Sequence, residues 1–444
     1  MIRQAIHLTI GNLVSRCVFA SLTIIVAKLV SPESYGAFSY AIATVSLASY
    51  FCDLGLQSTY LRQVAGGGPR WSDYTITSFF LRGALFTVVC AVAAIFLSRL
   101  ALTPETLRCV ALMFVPGVLG LALTSWITGT LLSRSDTRTL VIARLKAAAA
   151  QAVCVAIGMT IPVGDIPRAE VLAFCYGFGL MCGGLFGIRA VPVKSYWISR
   201  RRIKHCAARL GTGLHGYTIS GFFYMLAPTL GVLILERRSS LAVVGTFALV
   251  SRVPQFLYTI PGSVGQAFYP KLFQAVREQQ WTTFSALVRK EASFLLAIGA
   301  ALALTVVASG PLIAHLLGHS SGVVYQREFS NALLVGAAVI FVQSMSIPLG
   351  HALETAGCAM QRTVGQAISL SIAAVLFAQL GAQHGVVGAM IAAVTGEAVL
   401  YVAWLVLLAV YVRQAKVVKL LLPSLCAAVA VLGIGCGIWY RFLR

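Results

Sequence analysis

Residues 12–65 read NLVSRCVFASLTIIVAKLVSPESYGAFSYAIATVSLASYFCDLGLQSTYLRQVA, and the fold follows from this stretch. It is two long apolar runs separated at Ser31-Pro32, with Arg16 and Asp53 inside them. An apolar run of about 18 residues or more is long enough to cross about 30 Å of hydrocarbon at about 1.5 Å per helical residue. Arg16 lies eight residues into the first run, and Asp53 about eight residues before the end of the second. An antiparallel pair of helices therefore places both roughly 12 Å below one membrane face. The reading expects them to meet, because a charge in hydrocarbon requires a partner or water.

Composition extends the membrane reading to all 444 residues. Hydrophobic residues make up 59% and charged residues 11% of the chain, with a mean hydropathy of +0.87. A soluble globule carries about 25% charged residues, so that class is excluded. The formal net charge of +21 would suggest nucleic acid in a soluble protein, but here its distribution follows the membrane and no nucleic-acid partner is expected.

Apolar runs are centred near residues 19, 49, 86, 119, 150, 179, 223, 255, 304, 341, 372, 398 and 429. They predict an all-α polytopic membrane protein of 12–13 transmembrane helices, residues 413–444 holding the thirteenth. With the N-terminus inside, 20 of the 34 Lys and Arg fall in cytoplasmic segments, 7 in outward ones and 7 within spans. That bias sets a cytoplasmic N-terminus. Residues 1–30 read as a signal anchor, since the apolar stretch contains Arg16 and Lys28 and no small-residue cleavage pattern follows it. The 11 cysteines are scattered, with no C-x-x-C, so neither a zinc site nor a disulfide framework is indicated, and no cofactor is expected.

The order of motifs adds a family. A basic residue, a Ser31-Pro32-Glu33 hinge, Tyr35-Gly36, a long apolar helix, Asp53-Leu54-Gly55-Leu56 and then Arg62 resemble the opening of Wzx-type polysaccharide flippases of the multidrug/oligosaccharidyl-lipid/polysaccharide (MOP) exporter superfamily. The resemblance implies a transporter and not an enzyme. It implies as substrate a polyprenyl-pyrophosphate-linked oligosaccharide repeat unit for O-antigen, exopolysaccharide or capsule, moved across a bacterial inner membrane. Membrane lipids and a polysaccharide polymerase with its chain-length machinery are the partners it implies.

Tyr35-Gly36-Ala37-Phe38 recurs as Val244-Gly245-Thr246-Phe247, a shift of 209 residues. An even number of spans separates the copies, which predicts two six-helix bundles related by a pseudo-twofold axis along the membrane normal. The reading divides the chain into an N-terminal bundle (1–190), a basic interfacial linker (191–209), a C-terminal bundle (210–412) and the extra helix (413–444). The linker, VPVKSYWISRRRIKHCAAR, is the densest basic run and suits the headgroup region of an anionic leaflet. Prolines such as Pro228 and Pro254 are expected to kink their spans.

Polar residues fall on single faces of several spans. Asn12, Arg16 and Thr23 share one face of the first span; Ser46, Ser49, Asp53 and Gln57 follow the second; Thr75, Ser78 and Arg82 follow the third. The fifth offers Arg144 and Gln151, and the eighth Arg252, Gln255, Thr259, Ser263 and Gln266. Arg16, Arg82, Arg144 and Arg252 are the candidate cationic cavity, since a guanidinium fork matches pyrophosphate oxygens. Asn12, Asp53, Gln57, Gln255 and Glu397 are the candidate polar or coupling groups. Asp53 and Glu397 are read as the acids of the hydrocarbon interior, with the others at span ends or in loops, while Lys28 and Arg108 are read as interface anchors. A multidrug exporter of the same superfamily would need acids and aromatic cages for organic cations. A membrane glycosyltransferase or ligase would need a metal-binding acidic cluster that the sequence does not show.

Overall fold

The computed structural model describes residues 2–64, 71–97, 99, 102–134, 136–161, 167–191, 199–212, 214–318 and 322–412; the side chains of residues 2–13, 16, 215, 216, 316–318 and 322–326 lie outside that description. Among the described residues the regular structure is helical. Nine helices among the described residues are long and apolar enough to cross a membrane, or ten when one bent pair counts as a span. The chain is a multi-pass membrane protein. One compact unit ends at Leu233 and a second begins at Ile234.

The first unit holds α1 (Ile2–Leu29), α2 (Pro32–Asp53), α3 (Leu56–Val64), α4 (Trp71–Leu97), α5 (Pro104–Ser133), α6 (Thr137–Thr160), α7 (Arg168–Ile188), α8 (Arg200–Gly211) and α9 (Leu214–Leu226). The Ser31-Pro32 hinge is the start of α2. Ser31 accepts a hydrogen bond from the Ser34 N–H at 3.2 Å, Pro32 occupies the first turn and Glu33 faces the positive helix end. Thr103-Pro104-Glu105 opens α5 in the same way.

Helix α5 is the hub and packs against α2, α3, α4 and α7. Hydrocarbon gives helices no hydrophobic reason to associate, so close backbone approach through small residues supplies the packing energy. A Cβ on Gly120 of α5 would overlap the Leu180 carbonyl of α7, and one on Gly183 of α7 would lie 2.8 Å from the Ala147 Cβ of α6. Helix α4, by contrast, leaves Val88, Ile95 and Phe96 exposed, as a lipid-facing helix does. Residues 200–209 of the expected basic linker lie in α8, while 192–198 lie outside the described residues; α8 packs on α3 and α4, and Cys206 and Leu210 join Leu56, Tyr60, Val64 and Tyr74 in one apolar cluster.

Helix α10 (Leu230–Arg238) follows α9, bent by 55° from it across Ala227-Pro228-Thr229, where proline removes a donor and breaks the span. Beyond it lie α11 (Leu241–Leu257), α12 (Thr259–Arg277), α13 (Trp281–Gly318), α14 (Gly322–Thr355) and α15 (Ala359–Tyr411). Helix α14 is the hub here, packing against α11, α12, α13 and α15. The 209-residue repeat reaches the caps: Ser240, the counterpart of Ser31, accepts from the Val243 N–H at 3.4 Å and opens α11.

The 53 residues of α15 would run about 80 Å if straight, more than twice the hydrocarbon thickness. They double back at His384-Gly385, where Gly385 has φ 57° and ψ −137°, a conformation open only to glycine. Ser369 donates to the Gly396 carbonyl at 2.7 Å and Trp404 Nε1 to the Arg362 carbonyl at 2.9 Å. The eleventh and twelfth expected spans are thus the two arms of one hairpin. The thirteenth, over 413–444, lies outside the described residues.

Candidate functional site

Asp53 ends α2, and four segments of the first unit meet at its carboxylate. Arg82 of α4 donates to Oδ1 from Nε at 3.0 Å and from Nη2 at 2.5 Å. Ser125 of α5 donates to the same oxygen at 2.9 Å, and the Gln57 backbone N–H of α3 reaches Oδ2 at 3.4 Å. The Ser125 hydroxyl also lies 3.2 Å from Gln57 Oε1, so its one hydrogen is divided between two acceptors. Arg82 is 4% exposed, and its Nη1 donates to the Ser78 carbonyl at 3.4 Å. A charge-assisted pair of this geometry is among the stronger contacts a bundle interior offers.

The chain breaks directly after Asp53. Leu54 and Gly55 take φ of 45° and 81°, which ends α2 and starts α3 on a new axis. Glycine suits the second position, and a Cβ there would also lie 2.9 Å from the Tyr217 Cβ of α9. Two hydrogen bonds clamp the break: Tyr50 donates to the Thr218 carbonyl at 2.5 Å, and the Thr218 hydroxyl donates to the Leu54 carbonyl at 2.6 Å. Nearby, Arg62 donates to the Thr212 carbonyl at 2.6 Å. The Asp53-Leu54-Gly55-Leu56 motif is therefore a carboxylate followed by a clamped hinge.

The partner described for Asp53 is Arg82, where the sequence reading expected Arg16. The side chains of Arg16 and Asn12 lie outside the described residues. Thr75 and Ser78, read with Arg82 as a cavity stripe, are fully buried; Thr75 lies 2.7 Å from the Tyr60 hydroxyl, within the protein interior. Arg144, Arg252, Gln57 and Gln255 are half-buried. Glu397 accepts from Gln343 Nε2 at 2.8 Å. Gln151 is fully buried, beneath Gly179 of α7.

Two acids placed at span ends or in loops are in fact buried. Glu170, 6% exposed, is met at 2.9 Å by Arg108 Nε, so Arg108 is an ion-pair partner in addition to an interface residue. Glu291 on α13 is 0% exposed and lies 2.8 Å from His351 Nδ1 on α14. Removing the Arg108 side chain strands the Glu170 carboxylate, and we expect Arg108→Ala to cost about 1–3 kcal/mol. The midpoint of thermal unfolding in detergent checks this. Arg108→Ala combined with Glu170→Gln should regain most of the loss, whereas an unchanged midpoint in the single variant would show that the pair contributes nothing.

No family model and no curated protein matches the chain. Solved structures do match it. A lipid II flippase, MurJ, in an inward closed conformation aligns with a TM-score of 0.71 at 11% identity, over 99% of each chain. An inward-facing multidrug resistance MATE family transporter of the MOP superfamily aligns with a TM-score of 0.71 at 15% identity, over 91% of this chain and 95% of its own. The Vibrio cholerae MATE transporter VcmN in its bent form gives 0.62 at 14% identity, over 95% and 98%. The fold is that of the MOP transporters. It agrees with an all-α, two-bundle membrane architecture. The matching structures are transporters of lipid-linked or multidrug type.

Proposed function

We propose that the chain is a flippase that moves polyprenyl-pyrophosphate-linked oligosaccharide repeat units across a bacterial inner membrane, with its N-terminus in the cytoplasm. The observation that carries this reading is the arginine content of the spans. Asp53 pairs with Arg82, and Arg144 of the first unit and Arg252 of the second are half-buried arginines. An arginine fork in a membrane interior suits phosphate oxygens. The MurJ likeness, over the full length of both chains, supports a lipid-linked cargo, and alternating access of two bundles is the route such a fold offers. Arg82, held by Asp53, is a positioning residue; Arg144 in the first unit and Arg252 in the second are each assigned, within its own unit, as a candidate phosphate-binding arginine.

Reconstituted vesicles decide between this reading and multidrug export, which the MATE likeness favours. Purified protein should translocate a polyprenyl-pyrophosphate oligosaccharide and leave cationic dyes where they are. Dye transport without lipid transport would replace the flippase by the exporter. Arg144→Ala and Arg252→Ala should each reduce lipid translocation roughly 10- to 100-fold, the equivalent of about 1.5–3 kcal/mol for a lost charge-assisted hydrogen bond. Lys28→Ala, at an exposed position, should change it little.

A further inference from the structure

The second unit contains a buried ionisable pair that the proposed cargo path does not use. Glu291 is wholly buried in α13, and its Oε1 lies 2.8 Å from His351 Nδ1 of α14. Its other oxygen, Oε2, is buried with no hydrogen-bond partner. The lid over the pair is backbone. At Gly265 of α12, a Cβ would lie 2.9 Å from His351 Cε1, 3.2 Å from Glu291 Oε1 and 2.7 Å from Ile347 Cγ2.

Other groups form a graded route from this pair to solvent. From α12, the Tyr269 ring packs edge-on against the His351 imidazole, with centroids 5.1 Å apart; Glu354 lies one turn further along α14. Glu354 accepts from Arg362 of α15 at 2.7 Å, and Arg362 lies over the Trp404 ring. On α13 itself the neighbouring charges, Arg289 and Lys290, are exposed. Exposure of the side chains rises from 0% at Glu291 through 17% at His351 to 36% at Glu354. Among the described residues, His351 is the ionic partner of Glu291.

We propose that Glu291 and His351 form a proton-operated latch that holds α12 against α13 and α14. With one proton shared between carboxylate and imidazole the pair is neutral overall, and it can be sealed under Gly265. When that proton leaves, a net negative charge remains on a buried carboxylate with an unpartnered oxygen. Burying an uncompensated charge is costly, and water relieves the cost only when α12 lifts away. Proton loss and release of α12 therefore favour each other. The latch does not depend on which cargo the protein carries, and it can be tested without one.

The test is hydrogen exchange of the α12 amides in purified full-length protein in nanodiscs, expressed as protection factors from mildly acidic to mildly alkaline buffer. Wild-type protection should fall about tenfold as pH rises, a sub-global opening. Glu291→Gln, neutral at every pH and still able to bond His351, should remain protected throughout. Gly265→Ala, which crowds the lid without touching the charge, should lose protection equally at all pH values. A flat wild-type profile overturns the latch, as does a Glu291→Gln profile that follows wild type. Should Glu291→Gln fail to accumulate, the infrared pH-difference spectrum of wild type decides. A carboxylic-acid or imidazolium band that is altered by His351→Gln and titrates in step with α12 exchange supports the latch; the lack of both bands overturns it.

Discussion

Asp53→Ala is expected to destabilise the first unit by about 3–5 kcal/mol, the cost of leaving one member of a buried ion pair alone. Arg82 is 4% exposed and two of its nitrogens donate to Asp53, so its charge has no water to turn to. Asp53→Asn should cost less, because an amide oxygen still accepts from Ser125 and Arg82. Arg82→Ala should match Asp53→Ala in sign, with a somewhat smaller loss because Asp53 is 15% exposed. The exchange Asp53→Arg with Arg82→Asp restores a pair of opposite charges and should recover part of the loss. Thermal unfolding and the amount of protein in the membrane, measured on the singles and the exchange, give the coupling. If the exchange is no better than the worse single, the carboxylate does something besides pairing. Cargo translocation by a stable exchange variant then separates a static pair from a group that must titrate.

Depth along a span was legible in the sequence; direction around it was not. Arg16 and Arg82 sit at similar depths in their helices, so counting residues could not discriminate between them, and Arg16 alone was expected to meet Asp53. The choice of Arg82 is shown only once α4 packs on α2 and α5. The hinge, by contrast, was written in the residues: Ser31, Pro32 and Glu33 satisfy three separate requirements of a helix start. Glu291 was missed because Arg289-Lys290-Glu291 reads as a polar loop. Yet Phe284, Val288, Glu291 and Leu295 follow a helical course, and all four are 0% exposed. That stripe, extended back to Trp281, was the available signal, and it places the acid on the core face while its basic neighbours point outward. The two arms of α15 were legible as separate spans centred near residues 372 and 398, whereas the residue at which the chain turns, Gly385, is shown by its backbone conformation.

Gly120→Ala should lower the unfolding midpoint more than any single methyl group elsewhere in α5. The new Cβ would overlap the carbonyl carbon and oxygen of Leu180, and backbone atoms within a helix cannot rotate away as a side chain would. Gly184, across the same crossing, would place its own Cβ 3.0 Å from the Gly120 carbonyl oxygen, so the two helices touch backbone to backbone on both sides. Separating them costs about 1–3 kcal/mol or more, and in lipid no hydrophobic gain compensates. The effect should reach the site, because Ser125 lies five residues along α5 and donates to Asp53. Gly120→Ala and Ser125→Ala should therefore combine with less than additive loss. The control is Gly83 on α4, where a Cβ would meet nothing within 4 Å; Gly83→Ala should be neutral or stabilise by about 0.5–1 kcal/mol through helix propensity. Equal midpoints for the two variants would mean that α5 and α7 do not cross in backbone contact. Additive losses at Gly120 and Ser125 would leave the crossing intact and detach it from the Asp53 site.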